Sequence, residues 1–201
     1  MMASVLILAS ESRARKKMLE SAGVVLKALA PNVDEDALRA GLNAGGVTAR
    51  KLAVALAEAK AVRLSARTGG ALVLGGDQVL ALEDGTMLSK PVDKSEAKAH
   101  LVRMSGSKHK LFSAAVIAEA GSEVWRHIGV ATMTMRDLSE EFIDHYVENE
   151  WDEIRYCVGC YEIEGRGAQL FSDIEGSQFT IMGLPMLEIL EYLRERGLIP
   201  S

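Results

Sequence analysis

Residues 5–30 read VLILASESRARKKMLESAGVVLKALA, a short apolar run followed by a basic stretch and a second apolar run. Residues 5–9 and 25–30 have the length and composition of buried strands, whereas residues 15–22 have helical spacing and are followed by Gly23. A strand, a helix and a second strand in this order are typical of an α/β fold.

The rest of the chain continues this alternation of helical and strand patterns. We predict a helix over residues 48–67 and strands at 71–74 and 78–82 around a break. Another helix is predicted after an Asp93 and Glu96 capping box, followed by a hairpin turned at Gly121 and a helix capped by Ser139. A late strand pair and a helix over 185–196 complete the predicted order. Adjacent strands within an alternating pattern favour a mixed sheet. No repeat or linker divides the sequence, so we expect one domain over residues 1–201.

The composition limits the classes of function. The chain has 201 residues, of which 48% are hydrophobic, enough for a sizeable buried core. A net charge of -5 argues against a surface that binds a nucleic-acid polymer, because such surfaces are usually basic. The early apolar run is too short to span a bilayer and lacks the features of a secretory signal, so we expect a cytoplasmic protein without membrane contact.

The two cysteines, Cys157 and Cys160, form a single CxxC motif. A structural zinc site needs two further ligands at a suitable spacing, and the four histidines of the sequence do not offer one. A thioredoxin-like pair is disfavoured because no strand leads directly into a helix at this motif. A redox role stays open as a third hypothesis, which unchanged function in a Cys157→Ser, Cys160→Ser double variant would exclude.

Two charged residues interrupt apolar patterns, which is informative because an unpaired buried charge is costly. Asp77 lies within ALVLGGDQVLAL, after two glycines that allow another backbone or a ligand to approach closely. Lys60 continues a stripe of leucines at four-residue spacing, so its side chain starts from an apolar helix face. The alternatives are a turn aspartate bonded to its own backbone and a surface lysine with its ammonium group in water.

The segment LILASESRARKK carries groups that suit phosphate oxygens. Ser10, Ser12 and Arg15 stand where a strand meets the start of a helix, whose free N–H groups favour anions. The alternative is that Ser12 only caps the helix. The sequence has no GxxxxGKS/T motif, so a P-loop is excluded. A further cation, Lys90, is held beside a stiff proline in the segment SKP.

The acidic segment PNVDED, residues 31–36, is expected to be a loop. Glu35 and its neighbours carry the oxygen ligands that Mg²⁺ and Mn²⁺ prefer, although helix capping uses the same residue types. His109 and Ser113 are close in sequence, but such proximity is poor evidence for a catalytic dyad. A serine hydrolase is therefore not indicated.

Taken in order, these segments resemble the Maf family of nucleotide pyrophosphatases over nearly the whole sequence. LILASESRARKKML is similar to the family's strand and SxS(P)RR signature, although Arg13 stands where proline is usual and Ala14 replaces the first arginine of the pair. The other matching segments are VDE, EAKA, LGGDQV, LSKPVD, MSGSKHKLFS and IEGSQFTIMGLP. In the last two, Ser113 replaces a threonine and Thr180 stands where asparagine is common.

The resemblance implies a mixed twisted sheet flanked by helices, in two lobes around a central nucleotide cleft. It also implies hydrolysis of a nucleoside triphosphate to the monophosphate and pyrophosphate with a divalent cation, Mg²⁺ or Mn²⁺, by a protein that forms homodimers. The catalytic residues that it implies are Asp77 as the base, Glu35, Lys60 and Lys90, with Glu35 and Asp77 as metal ligands. The substrate-binding residues that it implies are Ser10, Ser12, Arg15, His109, Cys157 and Glu164.

The segment YCVGCYEIEGRG, residues 156–167, aligns with KAGAYGIQG of the family members that act on thymidine and uridine triphosphates. Cys157 and Glu164 replace the lysine and glutamine of that group and look more like the branch that acts on 7-methyl-GTP. A carboxylate accepts hydrogen bonds from a guanine edge and favours a positively charged methylated purine, whereas an amide both donates and accepts. The resemblance therefore favours 7-methyl-GTP as the substrate.

Two other functions are compatible with the same segments. One is hydrolysis of dTTP or UTP, as in the other branch of the family. The second is a nucleotide-binding regulator of cell division with little catalysis, for which the departures at Ala14, Ser113 and Thr180 leave room. Metal-dependent release of pyrophosphate distinguishes an enzyme from such a regulator.

Overall fold

The computed structural model describes residues 5–200, which form seven strands, seven α-helices and one short 3-10 helix. In chain order these elements are β1 (Leu6–Ala9), α1 (Arg13–Ser21), β2 (Leu26–Ala28), α2 (Glu35–Ala44), α3 (Ala49–Ser65), β3 (Val73–Leu82), β4 (Met87–Leu88), α4 (Lys94–Met104), β5 (Lys108–Glu119), β6 (Ser122–Met135), α5 (Glu140–Ile154), the 3-10 helix (Arg166–Leu170), β7 (Phe171–Glu175), α6 (Gln178–Met182) and α7 (Met186–Glu195). Within this part of the chain, none of the helices combines the length and the apolar character needed to cross a membrane.

The strands form one mixed sheet in the order β2-β1-β3-β5-β6-β7, with β4 paired to β3. β1 is parallel to β2 and β3, and all later pairings are antiparallel. The mixed α/β fold expected from the sequence is therefore confirmed. One domain over residues 1–201 stays a prediction, and residues 1–4 and 201 lie outside the described part.

Three helices begin at capping residues that the sequence suggested: Ser12, Asp93 and Ser139. Thr48, the predicted start of the long helix, is also a cap, and each of the four accepts a hydrogen bond from an N–H of the first turn. The hairpin between β5 and β6 turns at Gly121, whose φ of 83° suits glycine. At α4 the Glu96 carboxylate accepts from the N–H of Val92 and not from that of Asp93, so the predicted capping box is only half formed.

Three local predictions are wrong. The structure has no break at Gly75, Gly76 and Asp77, because β3 pairs with β5 through all three positions and these ladder bonds outweigh the low strand propensity of glycine. The acidic segment is not entirely a loop, since Asp34 caps α2 and Glu35 is its first residue. The predicted late strand pair is a single strand, β7, whose partner is the earlier strand β6.

Helix α3 packs directly on β3 and β5. Leu52 and Leu56 are fully buried in this layer, as are the small residues Ala57 and Ala61. A Cβ atom at Gly75 would collide with the carbonyl oxygen of Ala57, so this glycine permits the close approach of helix and strand. The close backbone approach expected at the two glycines is thus confirmed at Gly75, whereas the neighbours of Gly76 are the side chains of Leu184 and Arg15.

Apolar side chains also form two larger clusters on either side of a cleft. One cluster joins β1, α1 and α7, and the other joins α4, α5 and the residues before β7. These clusters correspond to the two lobes expected from the sequence, and the cleft between them brings together segments that are far apart in the chain.

Candidate active site

The cleft has a volume of about 850 Å³, within the range of small-molecule sites. Nine of the ten residues implied as catalytic or substrate-binding line it: Ser10, Ser12, Arg15, Glu35, Lys60, Asp77, Lys90, Cys157 and Glu164. They come from the end of β1, the starts of α1 and α2, from α3 and β3, and from the segments that follow β4 and α5. The roles assigned to them stay predictions.

The floor of the cleft contains a buried lysine between two carboxylates. The Lys60 Nζ atom lies 2.7 Å from Asp77 Oδ1 and 2.7 Å from Glu35 Oε2. Both Lys60 and Asp77 are only 5% exposed, so the alternatives of a turn aspartate and a surface lysine are wrong. Because Lys60 is one turn beyond Leu56 on the face that packs on β3, its ammonium group reaches Asp77 directly.

The second oxygen of Asp77, Oδ2, is buried and has no hydrogen-bond partner among residues 5–200. The guanidinium Nη2 atom of Arg39 lies 3.8 Å from this oxygen, which is an ion pair without a hydrogen bond. Sequence reasoning missed Arg39. The available signal was its spacing, because Arg39 is four residues after Glu35 and therefore lies on the same face of α2.

Arg15 is hydrogen-bonded to residues from the N-terminal and the C-terminal parts of the chain. Its Nε donates to the carbonyl oxygen of Gly183 at 3.0 Å, and its Nη1 donates to Ser10 Oγ at 3.3 Å. Burial lowers the pKa of Arg15, and the negative charges of Asp77 and Glu35 partly offset this effect. The Arg15 guanidinium is therefore fixed beside the two carboxylates of the cleft floor.

The segment before α7 is attached to the sheet by a network that sequence reasoning did not find. Gln78 donates to the carbonyl oxygens of Thr180 at 3.0 Å and Ile181 at 2.9 Å, and to Ser113 Oγ at 2.8 Å. Ser113 in turn donates to the Thr180 carbonyl at 2.6 Å. Since Gly183 follows in the same segment, this network positions the carbonyl oxygen that holds Arg15.

His109 is the one implied substrate-binding residue that the structure does not place in the cleft. It is 1% exposed and lies in the core on β5, where its Nε2 atom is 2.8 Å from the hydroxyl oxygen of Tyr161. Burial lowers the pKa of His109 to about 4, so the ring is neutral at pH 7. His109 therefore contacts Tyr161, which lines the cleft, and a direct contact between His109 and substrate is not seen in this arrangement.

Residues 156–158 and 161–164, which follow α5, line another part of the cleft, and Lys90 also lines the cleft. Burial is the main cause that raises the pKa of the Cys157 and Cys160 thiols to about 12, so both are protonated at neutral pH. A protonated thiol is a poor nucleophile, which weighs against the redox hypothesis. Burial and the nearby charge of Glu164 raise the pKa of Glu162. Glu153, Glu162 and Glu164 all line the cleft, so this part of it is rich in carboxyl groups.

The carboxylates of Glu35 and Asp77 fit a divalent cation. Mg²⁺ usually takes one or two protein carboxylates and completes its shell with phosphates and water. The carboxylates of Asp77 and Glu35 supply oxygens of the required type, and both contact the same lysine. Among residues 5–200 no cluster of three or more His, Cys, Asp or Glu side chains is arranged for a metal ion, so the protein offers two carboxylates and not a closed cage.

Comparison with known proteins gives the family of this chain. A family model described as Maf-like protein matches residues 5–196. The chain belongs to the Maf-like family. A Maf-like relative from Sphingopyxis alaskensis, named nucleoside triphosphate pyrophosphatase, is 53% identical over 196 residues, which cover 98% of this chain and 99% of the relative. A second, from Hyphomonas neptunium and of the same name, is 46% identical over 200 residues and covers 100% of both chains.

One solved structure is also similar to this Maf-like chain. It is titled as the crystal structure of a nucleoside-triphosphatase or dITP/XTP pyrophosphatase from Mycobacterium abscessus. The two share 15% sequence identity with a TM-score of 0.41, over 97% of this chain and 94% of the other.

Proposed function

We propose that this Maf-like protein hydrolyses a nucleoside triphosphate to the monophosphate and pyrophosphate, with 7-methyl-GTP as its preferred substrate. The observation that carries the proposal is the buried Asp77 carboxylate, which has one oxygen on Lys60 and one oxygen without a hydrogen bond at the floor of a nucleotide-sized cleft. The names of the relatives from S. alaskensis and H. neptunium support the same reaction.

In the proposed reaction, Asp77 acts as the general base. Its Oδ2 accepts a proton from the water that attacks the α-phosphorus, while Lys60 keeps the carboxylate in place through Oδ1. The bond between the α-phosphorus and the bridging oxygen then breaks, and pyrophosphate leaves. The products are the nucleoside monophosphate and pyrophosphate, so one water is consumed and its proton remains on Asp77 until it is released to solvent.

The cations of the cleft stabilise the charge of the triphosphate. Arg15, Lys60 and Lys90 face the same space, and the hydroxyl groups of Ser10 and Ser12 orient the phosphates. Glu35, with Asp77 through its Oδ1, would hold Mg²⁺ or Mn²⁺, which would neutralise phosphate charge and make the attacking water more acidic. Oδ2 of Asp77 would then stay free to accept the proton. Ser12 has two roles in this proposal, because its Oγ also caps α1 by accepting from the N–H of Arg15 at 3.3 Å.

The choice of 7-methyl-GTP rests on the end of the cleft opposite the phosphates. Glu153, Glu162 and Glu164 line this end together with Cys157. Three carboxyl groups attract a base with a positive charge, and 7-methylguanine carries one, whereas uracil and thymine do not. Glu164 also accepts hydrogen bonds from the donor edge of a guanine.

The test is pyrophosphate release from 7-methyl-GTP, GTP, dTTP and UTP, each with Mg²⁺, Mn²⁺ or neither. We expect metal-dependent turnover with the highest kcat/KM for 7-methyl-GTP. A preference for dTTP or UTP would agree with the proposed pyrophosphatase activity but contradict 7-methyl-GTP as the preferred substrate. Tight nucleotide binding without pyrophosphate release would instead favour a regulator that binds nucleotides with little catalysis.

The family also suggests a homodimer and a cytoplasmic location. Both belong to the proposal and have simple tests. Light scattering after size-exclusion chromatography is expected to give twice the chain mass of 21.7 kDa. Cell fractionation is expected to recover the protein with cytoplasmic markers.

A further inference from the structure

Arg39 faces the buried carboxylate of the cleft, but neither the sequence motifs nor the proposed mechanism gives it a role. Its side chain is 23% exposed, and Nη2 lies 3.8 Å from Asp77 Oδ2. This distance is too long for a hydrogen bond, yet it is short enough for a substantial charge interaction in a partly buried site. The carboxylate oxygen nearest to Arg39 is the one left without a hydrogen bond.

Arg39 completes a row of alternating charges. Glu35 contacts Lys60, Lys60 contacts Asp77, and Asp77 faces Arg39. The first and last members come from one face of α2, and the middle two come from α3 and β3. The two negative and two positive charges of this row sum to zero before any ligand binds, and the guanidinium of Arg15 lies beside the same carboxylates.

A divalent cation at Glu35 and Asp77 changes this balance. It adds two positive charges beside the guanidinium of Arg39, and like charges at such short range repel each other strongly. The same cation makes the site attractive to a polyphosphate. The Arg39 guanidinium suits either partner, because its fork of donors matches carboxylate and phosphate oxygens alike.

We infer that Arg39 exchanges partners during binding: it neutralises Asp77 in the metal-free cleft and contacts the polyphosphate once a divalent cation holds the carboxylate. The inference rests on the proposed function for the identity of the phosphate ligand. It predicts opposite effects of one substitution, because Arg39 competes with the metal and assists the phosphate. If Arg39 had a merely structural role, its substitution would weaken both metal binding and phosphate binding.

The experiment compares Arg39→Gln with the wild type in two binding measurements that need no turnover. Mn²⁺ affinity is measured by electron paramagnetic resonance on the protein without nucleotide, and affinity for inorganic tripolyphosphate is measured by calorimetry at saturating Mn²⁺. We expect roughly tenfold tighter Mn²⁺ binding and roughly tenfold weaker tripolyphosphate binding, each equal to about 1.4 kcal/mol. Arg63→Gln is the matched control, because Arg63 is exposed on α3 and does not line the cleft.

Arg39→Lys keeps the charge but loses the fork. It is expected to bind Mn²⁺ with near wild-type affinity and tripolyphosphate with an affinity between those of the wild type and Arg39→Gln. Unchanged or weaker Mn²⁺ binding in Arg39→Gln would overturn the inference, and so would unchanged tripolyphosphate binding. A wild-type protein without pyrophosphatase activity would instead remove the proposed function, while both binding measurements would still decide the role of Arg39.

Discussion

At the scale of single residues, Lys60 has the largest influence on the site because it is the shared partner of two carboxylates. Its ammonium group is buried, and it contacts Asp77 and Glu35 at equal distances of 2.7 Å. Burying these charges is costly, and only their mutual pairing offsets the cost. The stability of the fold and the geometry of the site therefore depend on the same contacts.

Replacing Lys60 with methionine is expected to reduce the free energy of unfolding by about 3 kcal/mol, because the Asp77 carboxylate would keep only its long contact with Arg39. The measurement is urea denaturation of Lys60→Met, Asp77→Asn and the double variant. The double variant is expected to be less destabilised than the sum of the two single changes, since it removes both members of the buried pair and leaves neither Lys60 nor Asp77 without the other. Additive losses would show that the two side chains are not coupled.

The Asp77→Asn variant tests the proposed role of Asp77 as general base. The amide has the shape of the carboxylate but cannot accept a proton from water, so kcat is expected to fall by roughly 10²–10⁴. Nucleotide binding and the circular dichroism spectrum are expected to stay near those of the wild type. Asp152→Asn on the exposed face of α5 is the control, with full activity expected. Near-normal turnover in Asp77→Asn would remove Asp77 from the role of base.

At the scale of elements, the contact between α3 and β3 sets the position of the charged residues. The two elements touch through backbone at Gly75 and Ala57, with no side chain between them. Any increase in their separation would lengthen the contact between Lys60 on α3 and Asp77 on β3. The short distance between these charges is thus a consequence of small residues beside them.

Gly75→Ala is therefore expected to reduce the free energy of unfolding by about 2 kcal/mol, because the added Cβ has no room beside the backbone of α3. Thermal denaturation followed by circular dichroism gives the measurement. Gly41→Ala is the matched control: a Cβ at this helical position on α2 meets open space, and alanine is expected to stabilise the helix by up to about 1 kcal/mol. Equal effects of the two substitutions would contradict this account of the packing.

At the scale of the whole molecule, the buried histidine links stability to pH. The pKa of His109 falls to about 4 in the folded protein, below its ordinary value of 6.5. Between these values the unfolded chain binds more protons than the folded one, so stability is lost as the pH falls through this window and is unaffected above it. Burial also lowers the pKa of His100, which adds to the loss in the same direction.

The loss attributable to His109 is expected to approach about 3 kcal/mol at pH 4. Urea denaturation between pH 4.5 and 7 measures the slope, and His109→Phe is expected to flatten it. His145→Phe, at an exposed position on α5, is expected to keep the wild-type slope. The same slope in His109→Phe as in the wild type would assign the pH dependence to other groups.

The sequence by itself determined the alternation of elements, and nine of the ten site residues that its resemblance implied line the cleft. Caps at Ser12, Asp93 and Ser139 followed from local residue type, and the helical pattern located the helix start at Thr48. Short apolar runs identified the first strands. The position of Lys60 in a leucine stripe placed the start of its side chain on an apolar helix face, and a surface lysine fitted the same pattern. These features depend on neighbours within a few positions along the chain, so a single sequence reports them.

Only the tertiary structure decided the contacts between distant segments. It made β3 continuous through the glycines, because pairing with β5 supplies hydrogen bonds that no local pattern reveals. It placed His109 behind Tyr161 and not in the cleft, and it brought Arg39 to the free oxygen of Asp77. Such outcomes depend on packing across the sheet, where the cost of burying a polar group selects its partner, and that partner lies far away in the sequence.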